Sequence, residues 1–174
     1  MLDRFSHFFF RKEMDKLSPR QEPGLFSDNN RVLYLIDGRE ENLLFATEKL
    51  IDKRISKKLV PYSLILGHQM MDAQSQHRYC YTEKDITWKG IPTDDMLSKF
   101  IAQPFFLMIV FAFIYRRDFE YIIRRANCKM KIGPAILDGM YDLDIEIDLK
   151  NKQDPNMLLD EIQNFCPDII HYEP

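Results

Sequence analysis

Four carboxylates, Asp142, Asp144, Glu146 and Asp148, alternate with Leu143, Ile145, Ile147 and Leu149 near the end of the chain. Carboxylate clusters are the natural ligands of hard cations, so metal binding is the first chemistry to weigh. A strict period of two puts all four on one face of a strand, about 7 Å apart and pointing in parallel rather than converging on one ion. The row is therefore expected to be the solvated face of a polar edge strand, where like charges also oppose pairing with a neighbouring edge. The basic pairs Arg116-Arg117 and Arg124-Arg125, with Lys129 and Lys131, have the chemistry to contact phosphates, but they also fit the charged exterior of a helix.

His7, His68, His77 and His171 show no ligand spacing, and Cys80, Cys128 and Cys166 are odd in number, far apart and without a CxxC pair. No metal or zinc site is assembled from them, and three reduced thiols suit a cytosolic setting. The six glycines are scattered, with no GxGxxG, Walker A or GxSxG arrangement, so no catalytic residue and no cofactor is named. The formal net charge of −3 opposes a dedicated nucleic-acid binder, which needs an excess of Lys and Arg.

These residues must be positioned by elements legible in the pattern. Residues 104–134 read as strand, helix, strand. Residues 105–115 form an unbroken apolar run, shorter than the roughly 20 residues of a membrane helix and suited to a central strand buried on both faces. Phe119, Ile122, Ile123 and Ala126 then recur at helical spacing, and residues 129–132 alternate outside and inside before Gly133-Pro134. This is a βαβ unit with a right-handed crossover.

Residues 31–37 form another buried strand. Asp37 is positioned to cap the helix that follows, with Glu40 as a capping-box acid and Leu43, Leu44, Thr47, Leu50, Ile51 and Ile55 on its inner face. Residues 60–66 form a further strand and 77–81 a short one. Thr93 caps a helix carrying Leu97, Phe100 and Ile101, and Asp154-Pro155 opens the last helix. Residues 1–30 read as an N-terminal helical extension and linker, and residues 31–174 as one α/β domain. No signal peptide or transmembrane segment is indicated. The apolar residues of the extension, Leu2, Phe5, Phe8 and Phe9, are expected to dock on the domain or on a partner, including a second copy.

The expected architecture is a three-layer αβα sandwich around a largely parallel sheet with a polar edge strand. In such folds a ligand sits outside the carboxyl ends of the strands, near a switch in strand order. Asp37, Gly38, His68, Arg116 and Arg117 follow expected strands and are the candidate ligand-binding residues.

YTEKDITWKG at residues 81–90, the apolar strand at 105–115, RRANCKMKIG at 124–133 and YDLDIEI at 141–147 together resemble an uncharacterised family of small bacterial α/β proteins with no assigned activity. That family's central strand begins with an aspartate after phenylalanine. Phe105-Phe106 stands here instead, so no role of that acid is carried over. More distantly, the strand–helix–KIG order is similar to the first half of heptosyltransferase-like glycosyltransferases, whose nucleotide-sugar-binding second half this chain has no room for. With no nucleophile and base to pair, the expectation is a non-catalytic cytosolic binding or interaction protein. The alternative is a small enzyme or degenerate transferase using the carboxyl-end crevice.

Overall fold

A computed structural model describes residues 9–14, 30–67, 77–136, 141–150 and 152–167. Six strands form one all-parallel sheet: β1 (Arg31–Asp37), β2 (Val60–Leu66), β3 (Arg78–Tyr81), β4 (Phe105–Phe111), β5 (Cys128–Pro134) and β6 (Ile145–Ile147), in the order β3-β2-β1-β4-β5-β6. The expected largely parallel α/β sheet is thus wholly parallel. Residues 9–14 are helical (α1), and four further helices are α2 (Glu41–Arg54), α3 (Asp95–Ile101), α4 (Arg117–Arg125) and α5 (Pro155–Phe165).

Successive strands step outward from β1 in one direction, then the chain crosses back to β4 and continues in the other. This reversal explains why β1 and β4 are the most apolar strands. Residues 32–36 and 107–110 are fully buried because each strand has a neighbour on both sides and helices on both faces. Side chains of alternate parity feed two cores. Leu33, Leu35, Met108 and Val110 meet α3 and α4, whereas Val32, Ile36, Leu107 and Ile109 meet α2 and α5. Three layers result.

The edges are short. β6 has only three residues, yet burial alternates beyond it, with Ile147 and Leu149 inside and Glu146 and Asp148 outside. The polar edge strand is therefore present but shorter than its pattern of two suggests. Asp144 bends out of the strand and accepts the Lys131 N–H at 2.7 Å, while Asp148 accepts the Lys150 N–H at 2.8 Å.

Three local expectations change. Asp37 does not cap α2, whose N-cap is Glu40 without a side-chain bond, because the Asp37 carboxylate is taken by Arg39. Asp94 rather than Thr93 caps α3, accepting the Met96 N–H at 2.8 Å. Lys131 is inside rather than outside: it is 1% exposed, and its ammonium donates to the Ile123 carbonyl in the last turn of α4. A helix's final carbonyls lack intrahelical donors, which lets a buried ammonium serve there.

The described part of the N-terminal extension packs on this chain. Phe10 and Met14 are buried, Phe9 meets the Trp88 ring edge-on at 5.7 Å, and Lys89 lies 3.7 Å from Glu13. No described helix is long and apolar enough to cross a membrane.

Candidate functional site

The strand order reverses between β1 and β4, so the loops leaving their carboxyl ends diverge to opposite faces and leave a crevice between them. Residues 37–39 leave β1, residues 112–116 leave β4, and the end of β3 brings in the 3-10 turn Glu83–Asp85. These three segments carry Asp37, Arg39, Arg116 and Glu83, and the first turn of α4 adds Asp118.

Arg39 turns back on Asp37, donating Nε at 2.8 Å and Nη2 at 2.6 Å to its two carboxylate oxygens. This hydrogen bonding raises the guanidinium's pKa further above its ordinary value, so Arg39 stays charged. Gly38, between them, is required by close packing. Its N–H donates to the Leu66 carbonyl at 2.7 Å, and a Cβ there would lie 2.7 Å from Ile65 Cγ2.

Across the crevice, Arg116 Nε donates to Asp118 at 2.9 Å, and the Tyr81 hydroxyl donates to the other oxygen of the same carboxylate, also at 2.9 Å. Burial pushes the Asp118 pKa above the usual carboxylate range, against the opposing pull of Arg116 and Tyr81. Burial likewise pushes Tyr81 well above its ordinary value, with Asp118 adding to the effect. The Tyr141 hydroxyl donates to the Ile114 carbonyl and accepts the Arg116 N–H, both at 3.0 Å, and burial raises its pKa too. All three hydroxyl and carboxyl groups therefore face inward, as fixed struts. Arg116 is also seated over the Phe119 ring, 5.8 Å from its centroid.

One exposed side chain joins the two halves. Glu83 Oε1 lies 3.4 Å from Arg116 Nη1 and 4.0 Å from Arg39 Nη1, although Glu83 itself is 68% exposed. Behind Arg116, buried Glu120 accepts from the Tyr115 hydroxyl and pairs with Arg124 at 3.1 Å and Arg11 at 3.9 Å. That second cluster ties α1 to α4.

Of the residues singled out in the sequence, Asp37, Gly38 and Arg116 lie at this crevice. Arg117 stands instead at the start of α4, where its Cβ approaches Gly90 so closely that a Cβ on Gly90 (φ +86°) would lie only 2.6 Å away. His68 lies outside the described residues. Sequence reasoning missed Arg39, Tyr81 and Glu83, which lie within a few residues of a strand end, Asp118 in the first turn of α4, and Tyr141 in the segment leading to β6. A cleft of about 90 Å³, whose lining includes Gly38, Glu41, Leu44, Phe45, Ile65 and Cys80, opens on the α2 side. It is well below the roughly 300 Å³ of an ordinary ligand pocket.

The turn after β1 also separates this site from that of dinucleotide-binding folds with the same strand order. Those hold pyrophosphate against a glycine-rich turn and a helix N-terminus. Here the turn has a single glycine, and Glu40 and Glu41 occupy the cap and first turn of α2, where they repel phosphate.

Sheet order and crevice define a doubly wound, all-parallel α/β protein with a charged cleft at its switch point. The chain belongs to a family of unknown function (DUF6913), whose sequence model matches residues 3–165. No curated protein and no solved structure matches it, so the glycosyltransferase resemblance gains no support.

Proposed function

We propose that this is a non-catalytic binding protein that takes its ligand at the carboxyl-end crevice between β1 and β4. The observation that carries this reading is the convergence of Arg39 and Arg116, from the two strands flanking the reversal, on one exposed carboxylate. Binding is favoured over turnover because, among the described residues, the buried groups able to act as acid or base are committed internally. Asp37 is held by Arg39, Asp118 by Arg116 and Tyr81, and Tyr141 by two backbone groups. A general base needs a lone pair facing substrate and a pKa near the working pH, whereas burial keeps Tyr81 and Tyr141 protonated. Cys80, Cys128 and Cys166 form no disulfide, which accords with a cytosolic location.

A thermal-shift screen of the full chain against carboxylic acids, nucleotides, sugar phosphates and divalent ions tests the proposal. A ligand at 100 times its dissociation constant adds about 2.7 kcal/mol. The expected hit loses its shift in Arg39→Ala and is recovered unchanged after incubation. A hit indifferent to Arg39→Ala and Glu83→Ala would place binding elsewhere, and chemical conversion of the hit would make the protein an enzyme.

A further inference from the structure

We infer that the site recognises a single carboxylate group, and that the Glu83 side chain occupies its seat until the ligand displaces it. This rests on the crevice being the binding site.

The two guanidiniums are held from behind. Asp37 engages Nε and Nη2 of Arg39, and Asp118 engages Nε of Arg116, so in each case Nη1 is the nitrogen turned toward the common point. A guanidinium has five N–H donors in a fixed fork, and these internal pairings fix the direction of those that remain. The clamp is therefore formed before any ligand arrives.

Glu83 fills it poorly. The only described hydrogen bond of its side chain, from Arg116 Nη1, is 3.4 Å long, and Arg39 stands 4.0 Å away, against about 2.7–2.9 Å for a well-made charge-assisted bond. Nothing in the fold depends on the contact, because the 3-10 turn is fixed by its neighbour. Asp85 accepts from the Thr82 N–H at 2.8 Å and from the Thr82 hydroxyl at 2.9 Å. The Glu83 side chain can swing into water while its backbone stays in place.

Charge decides between carboxylate and phosphate. Asp37 and Asp118 neutralise Arg39 and Arg116 one for one, so the clamp without Glu83 is neutral and with it carries one negative charge. A monoanion reproduces the present balance. A phosphate dianion would add an uncompensated charge close to Glu40 and Glu41 at the start of α2.

The test follows the Arg Nε–H resonances of the isotopically labelled full-length protein by NMR during titration with N-acetylglycine, succinate or inorganic phosphate. N-acetylglycine is expected to shift Arg39 and Arg116, succinate to bind no more tightly, and phosphate more weakly. Glu83→Gln should tighten N-acetylglycine binding about 2- to 30-fold, the range for two exposed ion pairs that no longer need breaking. Arg39→Ala should weaken it. A dissociation constant unchanged or raised in Glu83→Gln, phosphate binding more tightly than N-acetylglycine, or no response in either protein would each overturn the carboxylate assignment. The crevice reading would survive those results if a screen hit of other chemistry still lost its shift in Arg39→Ala. Glu83 is exposed, so an unchanged melting temperature is expected of its variant.

Discussion

Asp118 offers the sharpest test of how the crevice is held together. Its side chain is 4% exposed and accepts two hydrogen bonds, from Arg116 and from Tyr81. Asp118→Ala would leave a fully buried tyrosine hydroxyl and a mostly buried guanidinium without their acceptor. Breaking a buried pair by removing one partner costs about 3–5 kcal/mol, a large share of the roughly 5–15 kcal/mol that holds a domain folded. Asp118→Asn is a different perturbation, because it keeps one carbonyl acceptor and sheds the charge that burial disfavours. Its expected cost is about 1–2 kcal/mol.

The pH dependence separates the two effects. A carboxyl whose folded-state pKa lies above its unfolded value, about 3.9, binds its proton more tightly in the folded chain. Its contribution to stability is then largest below the unfolded value, falls as pH rises toward the folded value, and is level above it. Urea unfolding of wild type and Asp118→Asn from about pH 3 to about pH 8 should therefore show the wild type's relative stability declining across that window. A relative stability that increases with pH would mean that Arg116 and Tyr81 outweigh burial. An Asp118→Ala protein as stable as wild type would refute the network's role altogether.

Three further outcomes are expected. Tyr34 is fully buried with no hydrogen-bond partner for its hydroxyl among the described residues, so Tyr34→Phe should gain about 1 kcal/mol in denaturant unfolding, and a loss would reveal a bond to that hydroxyl. Ile109→Asp, between Tyr34 and Ile132 in the sheet, should abolish folding at a cost of several kcal/mol, and soluble protein with a cooperative transition would contradict the central position of β4. Phe10→Ala should cost about 3–5 kcal/mol, measured by the same unfolding assay, and an unchanged midpoint would mean that α1 contributes nothing to the domain.

The layers were legible because burial on two faces demands continuous apolar runs, and residues 105–111 and 31–37 supply them. The network was not, because its members stand far apart in the chain and meet only through strand order. Glu83 reaches Arg116 because β3 ends on one side of β1 while β4 lies on the other, a relation that no local spacing encodes. Arg39 hid for a related reason: its contact with Asp37 competes with the cap that Asp37 was positioned to provide. Lys131 shows the limit of alternation, since a long side chain on an apolar face is acceptable when a helix end offers it a carbonyl.

The seat of α1 has a consequence for the order in which the chain is built. Phe10 is buried and Arg11 meets Glu120, so the first described residues find their place only after α4 has been made. At about 5–20 residues per second, synthesis leaves those N-terminal aromatics waiting on the order of 5–20 s. β1 can pair early with β2, but its other neighbour, β4, also emerges late. The nascent chain thus presents these apolar surfaces before their partners exist, and α1 is among the last pieces to lock.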